Sequence, residues 1–293
     1  MLLAVPNVSE GRDLARVEAL ENDFARGVAL LDVHSDPVHN RSVFTLSGQP
    51  AALTEALVAG AAAAADSIDM RDHVGAHPAI GALDVCPLVW LRDEDRETAR
   101  EEAVATARRI ARATRVPVFL YGEVAKHPRR RERSFYRDGG PVELGRRMAT
   151  GELRPDFGPT APHPTAGATL VTARPPLAAF NLVLDGIDLA AAREVAARVR
   201  EAGGGPTGVR AIAIDLGRGT VQISTNVHDP VAVPLAEVVH LVRRLAGRRG
   251  GRAVAGEIVG LVPEAALAGF PEDLPLPDFA PAAGVIERRA PVS

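Results

Sequence analysis

The chain has 293 residues, room for one large domain or two of ordinary size, with the 46% hydrophobic and 24% charged content of a soluble globular protein. A formal charge of −3 and a pI near 6.3 argue against a nucleic-acid-binding surface. Cys86 is the single cysteine, so no intrachain disulfide can form. No apolar run approaches the ~20 residues of a membrane span, and the start at residues 1–5 lacks the basic flank of a secretory signal. The expectation is a cytoplasmic protein with no membrane partner and no nucleic-acid partner.

In chain order, residues 2–6 read as a short buried strand. Ser9 and Glu10 open a helix to about residue 26, with Leu14, Val17 and Leu20 at helical spacing. Strands follow at 28–33 and 42–46, separated by a loop over 35–40. Gly48 and Pro50 break the pattern ahead of an alanine-rich helix over 51–68. Residues 83–91 form a fourth strand, 96–114 a long helix and 116–121 a fifth strand.

The second half repeats the order without obvious sequence identity. It offers a strand at 178–184, a helix at 188–202, a hairpin of 209–216 and 220–226 across Gly217 and Gly219, a helix at 235–246 and a strand at 252–260. The predicted class is α/β (α+β), with two similar split-βαβ subdomains, each a mixed sheet with helices on one face. The boundaries read as 1–170, 171–270 and a Pro- and Ala-rich tail, 271–293, lying over the surface or disordered. Residues 139–176 are rich in Pro and Gly and poor in periodic pattern, suiting either a ligand wall or a structural crossover.

Chemistry concentrates at His77. It stands between Gly75 and Pro78 just ahead of an apolar strand, and the following proline disfavours helix there. An imidazole at a sheet rim suits proton transfer near neutrality; a hydrogen-bonded loop histidine is the plainer alternative. A second candidate is the loop over 36–41, where Arg41 offers a planar fork for a carboxylate and His39 and Asn40 add donors. A turn satisfied by its own Asp and Asn competes with that reading.

Metal binding is not expected. His73 and His77 are four apart, but Gly75 and Pro78 deny them the helix that would align the rings. No phosphate-cradling Gly-rich motif and no nucleophile elbow occurs. Cys86 reads as inert packing, and the basic run 126–133, with the only lysine, Lys126, as a solvated face.

Together these segments resemble the formiminotransferase family. The matching stretches include Val5-Pro6-Asn7-Val8-Ser9-Glu10-Gly11, Asn40-Arg41-Ser42, Gly75-Ala76-His77-Pro78, Gly81-Ala82-Leu83-Asp84-Val85-Cys86-Pro87, Pro155-Asp156-Phe157-Gly158-Pro159, Ala179-Phe180-Asn181 and Gln222-Ile223-Ser224-Thr225-Asn226, in order over about residues 4 to 268. The resemblance implies two α/β subdomains flanking a folate-binding groove, commonly as a homodimer. The implied activity transfers a formimidoyl group from N-formimidoyl-L-glutamate to N5 of tetrahydrofolate, a co-substrate, in histidine degradation. His77 then takes the catalytic position. Gly158, Pro159, Thr160, Thr165 and Gly167 take the folate-binding segment, and His39, Asn40, Arg41 and Arg174 take the substrate pocket. Ala76 and Ala79 stand where many relatives carry Glu and Arg, and Ala166 where an aromatic residue is common. A related 5-formyltetrahydrofolate-linked activity and a non-catalytic folate-binding module are therefore the alternatives. The cyclodeaminase domain that follows in some animal relatives has no counterpart within these residues.

Overall fold

Leu2–Ala4 (β1) and Asn7–Val8 (β2) are two halves of one broken strand. The break falls at Pro6, which has no N–H for a ladder. Its carbonyl still accepts from Phe44 N (3.0 Å), and Val5 N donates to Pro87 O (2.9 Å). The strand thus stays seated between β4 (Arg41–Gly48) and β5 (Leu83–Val89). The computed structural model describes residues 1–217 and 219–290, and the chain divides into two compact units, Met1–Pro175 and Pro176–Ser293.

The first unit holds a seven-stranded sheet. β3 (Ala29–Asp36) pairs with β4, which pairs with β1 and β2, and these pair with β5, all antiparallel. Beyond β5 the sheet turns parallel through β7 (Thr169–Arg174) to the edge strand β6 (Val118–Leu120). Helices α1 (Leu14–Phe24), α2 (Pro50–Ser67) and α3 (Arg96–Thr114) pack on one face through Leu20, Phe24, Leu53, Leu57, Ala103, Ala107 and Ile110. Each large side chain buried this way contributes about 1.5–3 kcal/mol.

Predicted and observed elements differ at three places in this unit. The first helix begins at Leu14, not Ser9, because the Glu10 carboxylate wraps back to accept from the N–H groups of Gly11, Arg12 and Asp13 (2.9–3.0 Å), leaving Asp13 to cap the helix at Arg16 N. The stretch read as lacking pattern contains α5 (Gly140–Ala149) and strand β7, and α4 (Ser134–Arg137) lies just ahead of it. Helix packing is not confined to one face. Tyr136, Leu144 and Met148 bury against Val85, Phe119 and Leu170, whose strand neighbours Cys86, Leu120 and Val171 face the larger layer.

The second unit is a four-stranded antiparallel sheet in the order β11-β8-β10-β9, built from β8 (Ala178–Asp185), β9 (Val209–Gly217), β10 (Thr220–Val227) and β11 (Arg252–Ile258). Helices α6 (Leu189–Val199) and α7 (Leu235–Gly247) cover one face. This order repeats β5, β1/β2, β4 and β3 of the first unit, helix for helix, so the doubled βαββαβ plan expected from sequence is present. Positive φ of 80° at both Gly217 and Gly219 flanks the hairpin turn. Residues beyond 270, read as a tail, contribute buried Leu274, Val285 and Ile286 to this unit, and Val262 N donates to Gly284 O (3.0 Å). Residues 291–293 of that stretch lie outside the described residues. Among the described residues, no helix is long and apolar enough to cross a membrane.

Candidate active site

The site assembles in the first unit, where the loop between α2 and β5 meets the β3–β4 turn. Gly75 sits so close to that turn that a Cβ would lie 2.3 Å from His39 O, and Ala76 N donates to Val38 O (3.0 Å). Asn40, at φ 49°, clamps three segments. Its Oδ1 accepts from Gly11 N (3.0 Å), its Nδ2 donates to Val74 O (3.2 Å), and the same nitrogen lies 3.3 Å from His73 Nδ1. Asn40 thus builds the wall, and its own donors are committed within it.

Arg41 is committed as well. Its Nε and Nη2 both donate to Asn7 Oδ1 (3.1 and 2.7 Å), and its Nη1 donates to Asp84 Oδ2 (2.7 Å). Asp84 is fully buried, accepts from Ile80 N (2.9 Å) through Oδ1, and also receives Arg137 Nη2. Burial alone would raise its pKa, but the Arg137 and Arg41 guanidiniums and these hydrogen bonds outweigh it and hold the carboxyl far below the usual range. Arg137 pays for this placement: burial first, then repulsion from Arg133 and Arg41, bring its pKa down to about 10 against the attraction of Asp84. Its Nε is buried without a hydrogen-bond partner. Among the described residues Arg133 has no carboxylate partner, so the cluster carries excess positive charge suited to an anionic ligand.

His77 lies half-buried beside this cluster, with its Nδ1 2.9 Å from Pro78 O. A carbonyl only accepts, so Nδ1 carries the hydrogen and Nε2 keeps a lone pair. Burial chiefly, then Arg41, Arg137 and Arg133, push the imidazole pKa well below 6.5, with Asp84 opposing. The ring is held neutral at pH 7, which is the form a general base needs.

The proposed folate segment divides. Residues 163–167 form a tight loop with reciprocal hydrogen bonds between His163 and Gly167 (2.8 and 3.0 Å), and His163 Nδ1 accepts from Ala166 N (3.0 Å). This loop is stitched to the His77 loop: Met70 N donates to Thr165 O (2.7 Å), Ala82 N to Ala166 O (2.9 Å) and Ala168 N to Ile80 O (2.9 Å). Thr165 and Gly167 are therefore beside the loop that bears His77. Gly158, Pro159 and Thr160 instead follow Phe157, which bridges to Val118, and Gly158 sits against Val116 and Pro117 just ahead of the edge strand. Arg174 lies at the opposite strand end. It pairs with Val89, five residues along β5 from Asp84, or about 16 Å. Its Nη1 donates to Pro175 O (3.0 Å), and burial chiefly, with Arg133 adding and Tyr121 opposing, brings its pKa to about 10.

Gly167 has φ 68°, and a Cβ there would stand 2.2 Å from Ile80 O. Gly167→Ala is expected to cost about 2 kcal/mol or more, from left-handed backbone strain and a backbone collision, read as a lower urea midpoint with unchanged slope.

The model of the formiminotransferase domain, N-terminal subdomain, matches residues 1–174. The glutamate formimidoyltransferase of Streptococcus pyogenes serotype M1 is 36% identical over 266 residues, covering 90% of this chain and 89% of its own. The chain belongs to the formiminotransferase family. A second member, the glutamate formimidoyltransferase of Thermoplasma acidophilum, is 38% identical over 268 residues, covering 90% and 88%. The formimidoyltransferase-cyclodeaminase of Rattus norvegicus is 37% identical over 272 residues, 90% of this chain and 50% of that protein.

The residues that organise this candidate site, Asp84 and Arg137, carry no motif of their own in the sequence. Asp84 is the one charged residue in the otherwise apolar β5, and a lone charge in a buried strand signals a buried partner. Arg137 lies between the basic run and the Pro- and Gly-rich stretch, in a segment to which the sequence assigned no element. The basic run is not uniformly solvated: Arg130 and Lys126 both reach Asp156 (3.5 and 3.0 Å), and Arg133 is half-buried. Cys86 is buried with its thiol pushed up to about 12, consistent with inert packing.

Proposed function

We propose that the chain transfers a formimidoyl group from N-formimidoyl-L-glutamate to N5 of tetrahydrofolate, with His77 as general acid/base, in histidine degradation. The observation that carries this reading is His77 itself: a neutral imidazole with Nδ1 tied to Pro78 O, Nε2 open, and guanidiniums beside it. Nε2 takes the proton from N5 as that nitrogen attacks the formimidoyl carbon, and returns it to the departing glutamate nitrogen. Positioned acid–base catalysis of this kind is worth roughly 100- to 10,000-fold. Arg133 and Arg137 supply charge for the donor's carboxylates, while three of the five N–H groups of Arg41 are already engaged by Asn7 and Asp84. The cytoplasmic setting rests on the sequence composition and the homodimer on the family resemblance.

Assaying N-formimidoyl-L-glutamate and 5-formyltetrahydrofolate side by side tests the donor, since Ala76 and Ala79 alter the catalytic loop. Transfer from the first alone supports the proposal. Turnover of the second alone assigns the related one-carbon activity, and folate binding without turnover of either leaves a binding module. The pH profile gives a second check. Because the His77 pKa is lowered, the base form persists below pH 6.5, so kcat/KM should stay level through 6.5 on acidification and fall only at lower pH. An acid limb centred at or above 6.5 contradicts the assignment.

A further inference from the structure

A transfer in which one imidazole carries the proton makes His77 an imidazolium between its two steps, in surroundings that oppose the charge. Facing His77 are Arg41 from β4, Arg133 and Arg137 at α4, and Asp84 from β5, the carboxylate that Arg41 and Arg137 share. Its own loop adds His73, itself pushed down chiefly by burial, while the adjacent residues Ala76 and Pro78 carry no charge. The β3–β4 turn brings a different pair. His39, only 6% exposed, places its ring centroid 6.1 Å from that of His77, inclined at 69°. Its Nδ1 lies 2.9 Å from Asp36 Oδ2, while Asp36 Oδ1 accepts from Val38 N (2.7 Å) and His39 N (2.9 Å).

Burial would raise the Asp36 pKa, but these bonds outweigh it and keep the carboxyl below its ordinary value. The carboxylate is therefore ionised and fixed in direction, and it holds His39 as the Nδ1–H tautomer. The remaining nitrogen, His39 Nε2, is shielded from solvent and has no hydrogen-bond partner. An imidazole whose Nδ1–H rests on a carboxylate is electron-rich. A buried polar atom left unpaired costs free energy unless it serves something else.

We propose that Asp36 and His39 are positioning residues for His77, fixing the plane of the catalytic ring and offsetting the positive charge it acquires in the transition state. The kinetic part rests on the transferase reading. The step balances without further reactants: the N5–carbon bond forms, the carbon–glutamate nitrogen bond breaks, and one proton passes from N5 through His77 Nε2 to the leaving nitrogen. Neither Asp36 nor His39 changes protonation.

Asp36→Asn is the informative variant, because an asparagine oxygen still accepts from Val38 N and His39 N and preserves the turn. Two readouts are needed on the full chain: the NMR titration of the His77 ring without ligand, and kcat with both KM values. Losing the carboxylate should move the His77 titration to lower pH and lower kcat about tenfold, the kinetic equivalent of one pKa unit, with each KM within about twofold. His39→Gln should move both readouts in the same direction. In an active enzyme, one readout moving without the other overturns the proposal, as does a change confined to melting temperature. A wild-type chain that transfers nothing while Asp36→Asn still shifts the His77 titration overturns the transferase reading and leaves the pairing in place.

Discussion

Replacing His77 by alanine should lower kcat about 100- to 10,000-fold while the affinity for tetrahydrofolate changes by less than about twofold. The asymmetry follows from what the ring does and does not hold. His77 Nδ1 bonds to the carbonyl of the adjoining Pro78, so no distant segment depends on that contact. The loop is anchored instead by Ala76 N on Val38 O, by Asn40 on Val74 O and by the close seat of Gly75. Alanine removes the proton carrier and leaves those anchors. A loss divided equally between kcat and KM would point to a binding role, and unchanged turnover would remove His77 from the chemistry. Steady-state kinetics with both substrates varied, alongside a binding titration, separates the cases.

Asp84→Ala should have the largest effect on stability. It strips the one carboxylate from between two guanidiniums, of which Arg137 is 11% exposed and Arg41 slightly more enclosed, and it orphans Ile80 N. Breaking a buried pair this way costs about 3–5 kcal/mol. For a unit of this size that corresponds to a fall in melting temperature of roughly 10 °C. Asp84→Asn retains an acceptor for Ile80 N and should lose less. Because the folded carboxyl titrates far below its unfolded value, the stabilisation from Asp84 is complete above the unfolded carboxyl pKa near 4 and is lost only as pH falls toward the folded value. Denaturant melts of wild type and Asp84→Asn should therefore show a constant gap from pH 7 to about 4 that narrows as the pH is taken below that. A constant gap down to the lowest measurable pH, or none at pH 7, would contradict the account.

Strong local patterns made most of the framework readable. Helix α3 carries small apolar residues at regular helical spacing and ends where Arg115 takes a left-handed conformation, and its predicted bounds match those observed. The second hairpin is announced by alternation around Gly217 and Gly219. What escaped did so for identifiable reasons. β7 pairs only in parallel with strands distant in sequence, so its signal is the apolar run Leu170–Val171 inside a Pro- and Gly-rich stretch. The delayed start of α1 depends on a carboxylate folding back onto its own backbone, a tertiary choice that Ser42 reinforces by donating to Glu10 O (2.5 Å). At the site, residue types were legible but commitments were not. Arg41 looks like a free fork in the sequence, and only the three-dimensional arrangement shows three of its donors given to Asn7 and Asp84.

The two halves share one plan, yet they decorate it unequally. Where the first carries Asp36, His39, Asn40 and Arg41 at its β3–β4 turn, the second closes the corresponding β9–β10 turn between two glycines. The same scaffold therefore tolerates very different side-chain loads at equivalent hairpins.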